Sequence, residues 1–199
     1  MTNSPGWAVE LTGEPFDLEN FRQWLKAPFD PWIENCAVDE GVRPVLWSRS
    51  WEKLNEGADV HRDAARIVER LNGVALLVDQ DAQAVKPGQI MRFGSDGERE
   101  PIMFAVTGHL HITLGKMRMR ATGETSGPPQ RPHESPMQKW FRDAETDDVR
   151  AELFVHLNRT DNWYDLFKSM EFAERLVGST KAVRKMFGPD GGLRPGHTC

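Results

Sequence analysis

Residues 59–79, DVHRDAARIVERLNGVALLVD, carry the strongest indication of fold class, because they hold the clearest helical pattern and the most apolar run of the N-terminal half. Apolar side chains recur every three or four residues up to Leu71, and Asp59 is predicted to cap this helix. Gly73 stands where helices commonly end. The run VALLV at residues 74–78 predicts a strand buried on both faces at the centre of a sheet. The stretch therefore predicts a fold that combines helices with a sheet.

The flanking segments indicate that this sheet is mainly antiparallel. Alternating apolar residues predict short strands, and Pro44 argues for an edge position for the strand that contains it. An earlier helix, with Asp17 as its predicted cap, supplies a second amphipathic element. The sequence thus predicts an α+β fold, in which a mainly antiparallel sheet with two helices on one face is followed by a helical C-terminal segment. The predicted strands cover residues 7–11, two pieces on either side of the 39–41 turn, 90–93, 102–106 and 109–122.

Composition divides the chain into four parts. Residues 5–122 are predicted to form the α+β domain. Residues 123–136, GETSGPPQRPHESP, are predicted to be a connector, because their proline and glycine content disfavours regular structure. Residues 137–187 carry helical patterns and are predicted to pack on the domain or on a partner. Residues 188–199 are predicted to form a flexible tail.

The last strong helical pattern lies in residues 160–178, TDNWYDLFKSMEFAERLVG. Its apolar stripe predicts that this helix packs on the core, because burial contributes about 25 cal/mol per Å² of apolar surface. Tyr164 and Phe172 lie off that stripe. Since Trp and Tyr are common at binding hot spots, the alternative is a surface for a protein partner or for self-association, with Tyr164 and Phe172 in the interface. The stripe comprises Trp163, Leu166, Phe167, Met170, Ala173 and Val177.

Three short motifs carry a resemblance to known proteins. The sequences FDLENF at residues 16–21, RLNG at 70–73 and DNWYDLFKSMEFAERLVG at 161–178 resemble a loosely defined set of small bacterial proteins of unknown function. The last helix of those proteins tends to carry Trp, then a Leu-aromatic-Lys step, then Glu. The resemblance implies a bacterial source and no particular activity.

Composition and charge exclude several broad classes. With 39% hydrophobic and 28% charged residues the chain is not a mainly disordered protein, and a formal net charge of -5 gives no reason to expect nucleic acid or an acidic membrane as a partner. No secretory leader is expected, because the N-terminal residues lack a basic start and an apolar run, and no run of about 20 apolar residues predicts a membrane-spanning helix. The two cysteines, Cys36 and Cys199, suit a reducing compartment. We therefore expect a cytoplasmic protein.

One strand face is the first choice for a ligand surface. If Gly115 forms a bulge, the face that carries two histidines continues through three cations, which could meet a phosphate or another small anionic ligand. The two histidines lack a third donor, so no metal site and no cofactor are predicted. The alternative is a structural role, in which the charges on this strand face prevent an exposed sheet edge from pairing with another chain. The residues of this face are His109, His111, Lys116, Arg118 and Arg120.

Recognisable catalytic motifs are lacking. The sequence HRDAA at residues 61–65 matches part of a kinase catalytic loop, but its companion motifs are missing, so Arg62 and Asp63 are predicted to be exposed helix residues. We expect a non-catalytic binding or regulatory module that associates with a protein partner or with itself through the helix of Trp163. The competing hypothesis is an enzyme that acts on a phosphorylated or nucleotide substrate through the His109 to Arg120 face.

Overall fold

The computed structural model describes residues 6–38, 41–94, 99–102, 132–159 and 162–178. The strands in these ranges are β1 (Gly6–Thr12), β2 (Trp32–Val38), β3 (Gly41–Trp47), β4 (Lys86–Phe93) and β5 (Arg99–Ile102). The helices are α1 (Pro15–Trp24), α2 (Gly57–Val78), α3 (Pro136–Glu145), α4 (Asp148–Asn158) and α5 (Trp163–Val177), with a 3₁₀ helix at Arg49–Lys53. The predicted α+β class is confirmed.

The strands form one sheet in the order β2-β3-β1-β4-β5, and all neighbours are antiparallel. Strand β1 lies at the centre, where Ala8 pairs with Trp47 on one side and Met91 on the other. Strands β4 and β5 pair with Ile90 opposite Ile102, and each begins before the predicted strand, at Lys86 in place of 90 and at Arg99 in place of 102. The predicted strand at 109–122, with its bulge at Gly115, lies outside the described residues.

Alternation along the strands divides the apolar side chains between the two faces of the sheet. One face joins the helices in the main core, and it includes Trp7, Val9, Leu11, Ile33, Leu46 and Ile90. The opposite face carries a second buried cluster, which comprises Ala8, Cys36, Val45, Trp47, Met91 and Phe93.

The predicted central strand at residues 74–78 is wrong, because α2 continues through Gly73 to Val78. A Cβ atom at position 73 would lie 1.9 Å from the carbonyl oxygen of Phe154 in α4. Gly73 therefore serves the close approach of two helices and does not end one. A short apolar run cannot be assigned to strand or helix from its periodicity alone.

The two predicted caps of the early helices also differ from the structure. Glu14 and Glu56 occupy the N-cap positions of α1 and α2, and neither makes a side-chain capping bond. Asp17 and Asp59 lie inside the first turns, where a negative charge still suits the positive end of the helix dipole. The carboxylate of Asp17 accepts a hydrogen bond of 3.1 Å from the backbone N–H of Gln83 instead.

Pro44 was expected in an edge strand, and β3 lies inside the sheet. The sheet tolerates this proline because β1 pairs with β3 only from Val45 to Trp47. At Pro44, β3 is paired with Asn35 of β2. The missing N–H of the proline therefore falls beyond the part of β3 that β1 pairs with.

Helix α3 is tied to the segment that follows α1. Ser135 and Gln138 form a capping box at its N-terminus. The Nε2 atom of the fully buried Gln138 lies 3.0, 3.1 and 2.9 Å from the carbonyl oxygens of Lys26, Phe29 and Pro31, so its two N–H groups are shared among three acceptors. One side chain thus ties α3 to the backbone of the segment that follows α1.

Helices α3 and α4 contribute to the same core cluster as the sheet, through Met137, Phe141 and Phe154. The division into a domain, a connector and a helical segment stays a prediction. Within the described ranges, no helix is both long and apolar enough to cross a membrane.

Candidate functional site

Helices α4 and α5 form a hairpin with well-defined ends. Asp147 caps α4 by accepting hydrogen bonds from the backbone N–H groups of Val149 and Arg150, at 3.0 and 3.3 Å. Asn162 caps α5 by accepting from the N–H of Asp165, at 3.0 Å. Gly178 ends α5 in the left-handed conformation, with φ of 79°, which glycine adopts readily.

A polar network fixes α5 against α4. The Nδ1 atom of His156 lies 2.5 Å from Oδ1 of Asp165, and the amide of Asn162 donates to the other carboxylate oxygen at 2.6 Å. Both hydrogen bonds hold the pKa of Asp165 below its ordinary value, with the larger effect from Asn162. Ser169 donates to the carbonyl oxygen of Asp165 at 2.9 Å, and both residues are buried. The inward side of α5 is therefore partly polar.

Aromatic stacking completes the inward side of α5. The ring of Phe172 stacks on His156 with centroids 5.5 Å apart, and Tyr164 meets the same imidazole edge-on at 6.1 Å. Phe172 and Ala173 also pack against the main core. The residues that face α4 follow at spacings of four, three and one: Asp165, Ser169, Phe172 and Ala173.

This orientation overturns the prediction that the apolar stripe of α5 packs on the core, except at Ala173, which does pack against it. Trp163, Phe167 and Met170 are 84%, 63% and 50% exposed, and Leu166 and Val177 are exposed as well. The helix contains two stripes, and the one with Asp165 and Ser169 faces inward, where Asp165 bonds His156 of α4 and Ser169 is satisfied by a carbonyl oxygen of its own helix. Phe172 lay off the apolar stripe, and this was the signal in the sequence for the second stripe.

We call Trp163, Leu166, Phe167, Met170 and Val177 the outer face of α5. Of the ten exposed large hydrophobic side chains among the described residues, seven belong to α5, so exposed apolar surface is concentrated on this one helix. Concentrated exposure of this kind marks interaction sites in folded proteins, whereas scattered exposure is ordinary. The outer face is therefore the candidate functional site.

The two residues predicted for a partner interface lie in different settings. Tyr164 is exposed at the border of the outer face, whereas Phe172 is half-buried between His156 and Arg175, whose guanidinium lies 5.3 Å from the ring centroid. Their part in binding stays a prediction.

The charged border of the outer face is internally paired. Glu171 accepts hydrogen bonds from Lys168 at 2.8 Å and from Arg175 at 2.7 Å. The hydrogen bond from Lys168 is the main cause that holds the pKa of Glu171 below its ordinary value and raises the pKa of Lys168. With both cations engaged by one acid, this border attracts anions weakly.

The pair of His156 and Asp165 resembles the base and orienting acid of many hydrolases, but its surroundings do not support catalysis. Ser169 donates to a backbone carbonyl, and in the part of the chain that the structure describes no hydroxyl or thiol donates to His156. The imidazole also packs against two aromatic rings. The pair acts as a link between α4 and α5.

A second polar cluster surrounds Asp63 of α2, which was predicted to be an exposed helix residue. Its carboxylate accepts hydrogen bonds from Ser50 Oγ and from the indole of the buried Trp51, both at 3.0 Å, and from Arg66 at 2.6 Å. The neighbouring groove, about 480 Å³ in volume, also contains Arg62, which pairs with Asp59 at 3.0 Å. Because both arginines are paired with acids, the groove is a weak candidate for an anionic ligand.

The predicted ligand face, formed by His109, His111, Lys116, Arg118 and Arg120, lies outside the described residues. Among the residues that the structure describes, no group of three or more His, Cys, Asp or Glu side chains is placed to hold a metal ion.

The chain matches no known protein family, no curated protein and no solved structure.

Proposed function

We propose that the chain is a non-catalytic protein-binding module of the bacterial cytoplasm and that the outer face of α5 is its interface. The observation that carries the proposal is the exposure of Trp163, Phe167 and Met170 on one side of a helix whose other side is fixed by hydrogen bonds. A rigid helix with exposed aromatic side chains suits binding, because few side chains lose freedom when a partner arrives.

The character of this surface favours a protein over a membrane or a nucleic acid. Interfacial helices and nucleic-acid sites depend on cations that are available to phosphate groups. In α5, Lys168 and Arg175 both bind Glu171, and Glu174 adds a further negative charge. Trp and Tyr, by contrast, are the residues most enriched in protein hot spots.

Photo-cross-linking in the source cell tests the proposal. Trp163 is replaced by p-benzoylphenylalanine, and the matched control carries the same group in place of Arg62, whose side chain is 79% exposed on α2. We expect a covalent protein adduct at position 163 and none at position 62. Adducts are resolved by mass, and mixing of ¹⁴N- and ¹⁵N-labelled chains distinguishes links within one chain from links between two.

Three outcomes have different meanings. An adduct with any second protein molecule supports the binding function. A link from position 163 to the same chain, or equal adducts at positions 163 and 62, overturns it.

A further inference from the structure

The outer face of α5 is built unevenly along its length. Its N-terminal half carries the large side chains of Trp163, Leu166 and Phe167, whereas its C-terminal end carries Val177 and is followed by Gly178. Among the described residues, none lies within 4 Å of the place that a Cβ atom at Gly178 would occupy. A partner that fits the whole face needs small groups opposite the first half and large groups opposite the second.

A second copy of α5 in the antiparallel direction has this shape. If a two-fold axis passes beside Met170, Trp163 of each copy lies opposite Val177 and Gly178 of the other, so the largest side chain of the face meets the smallest. Met170 then meets Met170 at the axis, and Leu166 lies opposite Glu174. Two-fold dimers with self-complementary surfaces are also the most common protein oligomers.

The area of the outer face is sufficient for a stable pair. Aromatic side chains bury about 150–250 Å² each and the aliphatic ones less, so the exposed fractions of the outer face and Tyr164 amount to roughly 600 Å² per copy. A pair that covered all of this surface would bury about 1,200 Å², which is where the range of specific protein interfaces begins.

The charges also favour an antiparallel pair. Glu174 is the one acid that points in the direction of the outer face by its position on the helical wheel. In the antiparallel pair it lies about one turn from the N-terminal end of the other α5, where the helix dipole is positive. A parallel pair would place Glu174 against Glu174 and align the two dipoles unfavourably.

From these observations we infer that two copies of the chain associate through their α5 outer faces, antiparallel and centred on Met170. The inference rests on the proposed function and names its partner.

Sedimentation of the full chain between 1 and 100 µM, about the range in which interfaces of this size associate, tests the pair. We expect a species of twice the 22.6 kDa chain mass. Because position 170 faces itself across the axis, Met170→Glu and Met170→Lys should each sediment as monomers, and their equimolar mixture should recover the dimer. Arg62→Glu on the exposed side of α2 is the control and should leave the dimer intact. Circular dichroism verifies that each variant is folded.

Cysteine cross-linking tests the direction of the pair. In a Cys199→Ala background, Met170→Cys should form an intermolecular disulfide on mild oxidation. Val177→Cys should not, because the two 177 positions lie about 21 Å apart along antiparallel helices with a rise of 1.5 Å per residue. Efficient cross-linking through Val177→Cys would overturn the antiparallel arrangement.

Failure of the pair can be distinguished from failure of the binding function. If the chain stays monomeric at 100 µM, about the upper end of the tested range, the inference that a second copy binds the outer face is wrong. If position 163 still cross-links to a different protein, the binding function stands. If it cross-links to no other molecule, both proposals are overturned.

Discussion

At the scale of single residues, Gly73 sets the distance between two helices. The backbone of α4 at Phe154 occupies the space that a side chain at position 73 would need. The ion pair between Arg159 and Glu69, at 2.7 Å from Nε to Oε1, joins the same two helices one turn away. The α2–α4 contact therefore depends on the absence of one methyl group.

We expect Gly73→Ala to lower the free energy of unfolding by about 3 kcal/mol or more, because the helices must separate and leave poorly packed space. Helix propensity alone would raise stability by about 1 kcal/mol. The matched control, Ala65→Gly on the exposed side of α2, should cost only about 1 kcal/mol. Urea unfolding measures both, and a Gly73→Ala variant as stable as the original would contradict the close approach.

Truncation of an exposed and of a buried tryptophan should have very different effects on stability. Trp163 is 84% exposed, so Trp163→Ala should change the free energy of unfolding by less than about 0.5 kcal/mol. Trp51 is fully buried and donates its indole N–H to Asp63, so Trp51→Ala should cost about 3–5 kcal/mol. Unfolding is followed at low protein concentration to exclude association. A large loss of unfolding free energy for Trp163→Ala would indicate that Trp163 packs in the core.

At the scale of elements, the α4–α5 hairpin shows where pattern analysis succeeds and where it stops. The buried face of β1 was predictable because Trp7, Val9 and Leu11 alternate with the residues of the other face. The extents of β4 and β5 were not predicted, since both begin before the predicted strands at 90–93 and 102–106. Which side of α5 faces inward was not predictable from the sequence. The helix contains two stripes, and only contacts with α4 select between them. The extent of α2 was mispredicted because Gly73 looks the same at a helix end and at a close contact.

The hairpin should weaken in acid. Because the folded-state pKa of Asp165 is depressed, its charged form contributes stability that is fully present above the ordinary carboxylate pKa of about 3.9 and is lost as the pH falls through the lower folded value. The stability difference between the original and Asp165→Asn should therefore be constant from about pH 7 to pH 5 and shrink towards pH 3. Parallel loss of stability in both proteins over that range would contradict the assigned role of Asp165.

Hydrogen exchange of the α5 amides locates the effect. The N-terminal turn of α5 should lose protection first, since Asp165 links Asn162 and His156 there. Glu152 lies 3.9 Å from the other imidazole nitrogen of His156, and Glu152→Gln serves as the control that leaves the Asp165 hydrogen bonds in place.

At the scale of the whole molecule, one core joins the central strand β1 to α2, α3 and α4, and α5 lies on α4 at the outside. The fold class followed from the sequence, because mixed helical and alternating patterns specify it. The candidate site could not be predicted from the sequence, since it depends on which side of α5 packs on α4. The predicted His109 to Arg120 face is tested separately from the outer face of α5.

Ligand-induced thermal shifts distinguish the binding module from the competing enzyme hypothesis. If the chain is a protein-binding module, a panel of nucleotides and divalent metals should produce no saturable rise in melting temperature. The Arg118→Ala, Arg120→Ala double variant should then behave like the original. A saturable rise that the double variant loses would instead favour an enzyme that acts on a phosphorylated substrate.

The polar inward side of α5 also has an evolutionary consequence. Asp165 and Ser169 are the buried polar positions of this side, and the bond from Asp165 to His156 keeps the helix from rotating about its axis and burying Trp163. If both became leucine, either side of the helix could face α4, and the roll that covers the tryptophan would gain stability from burial. Two substitutions could therefore expose or bury the apolar outer face of α5 during evolution. Every strand and every other helix would stay as it is.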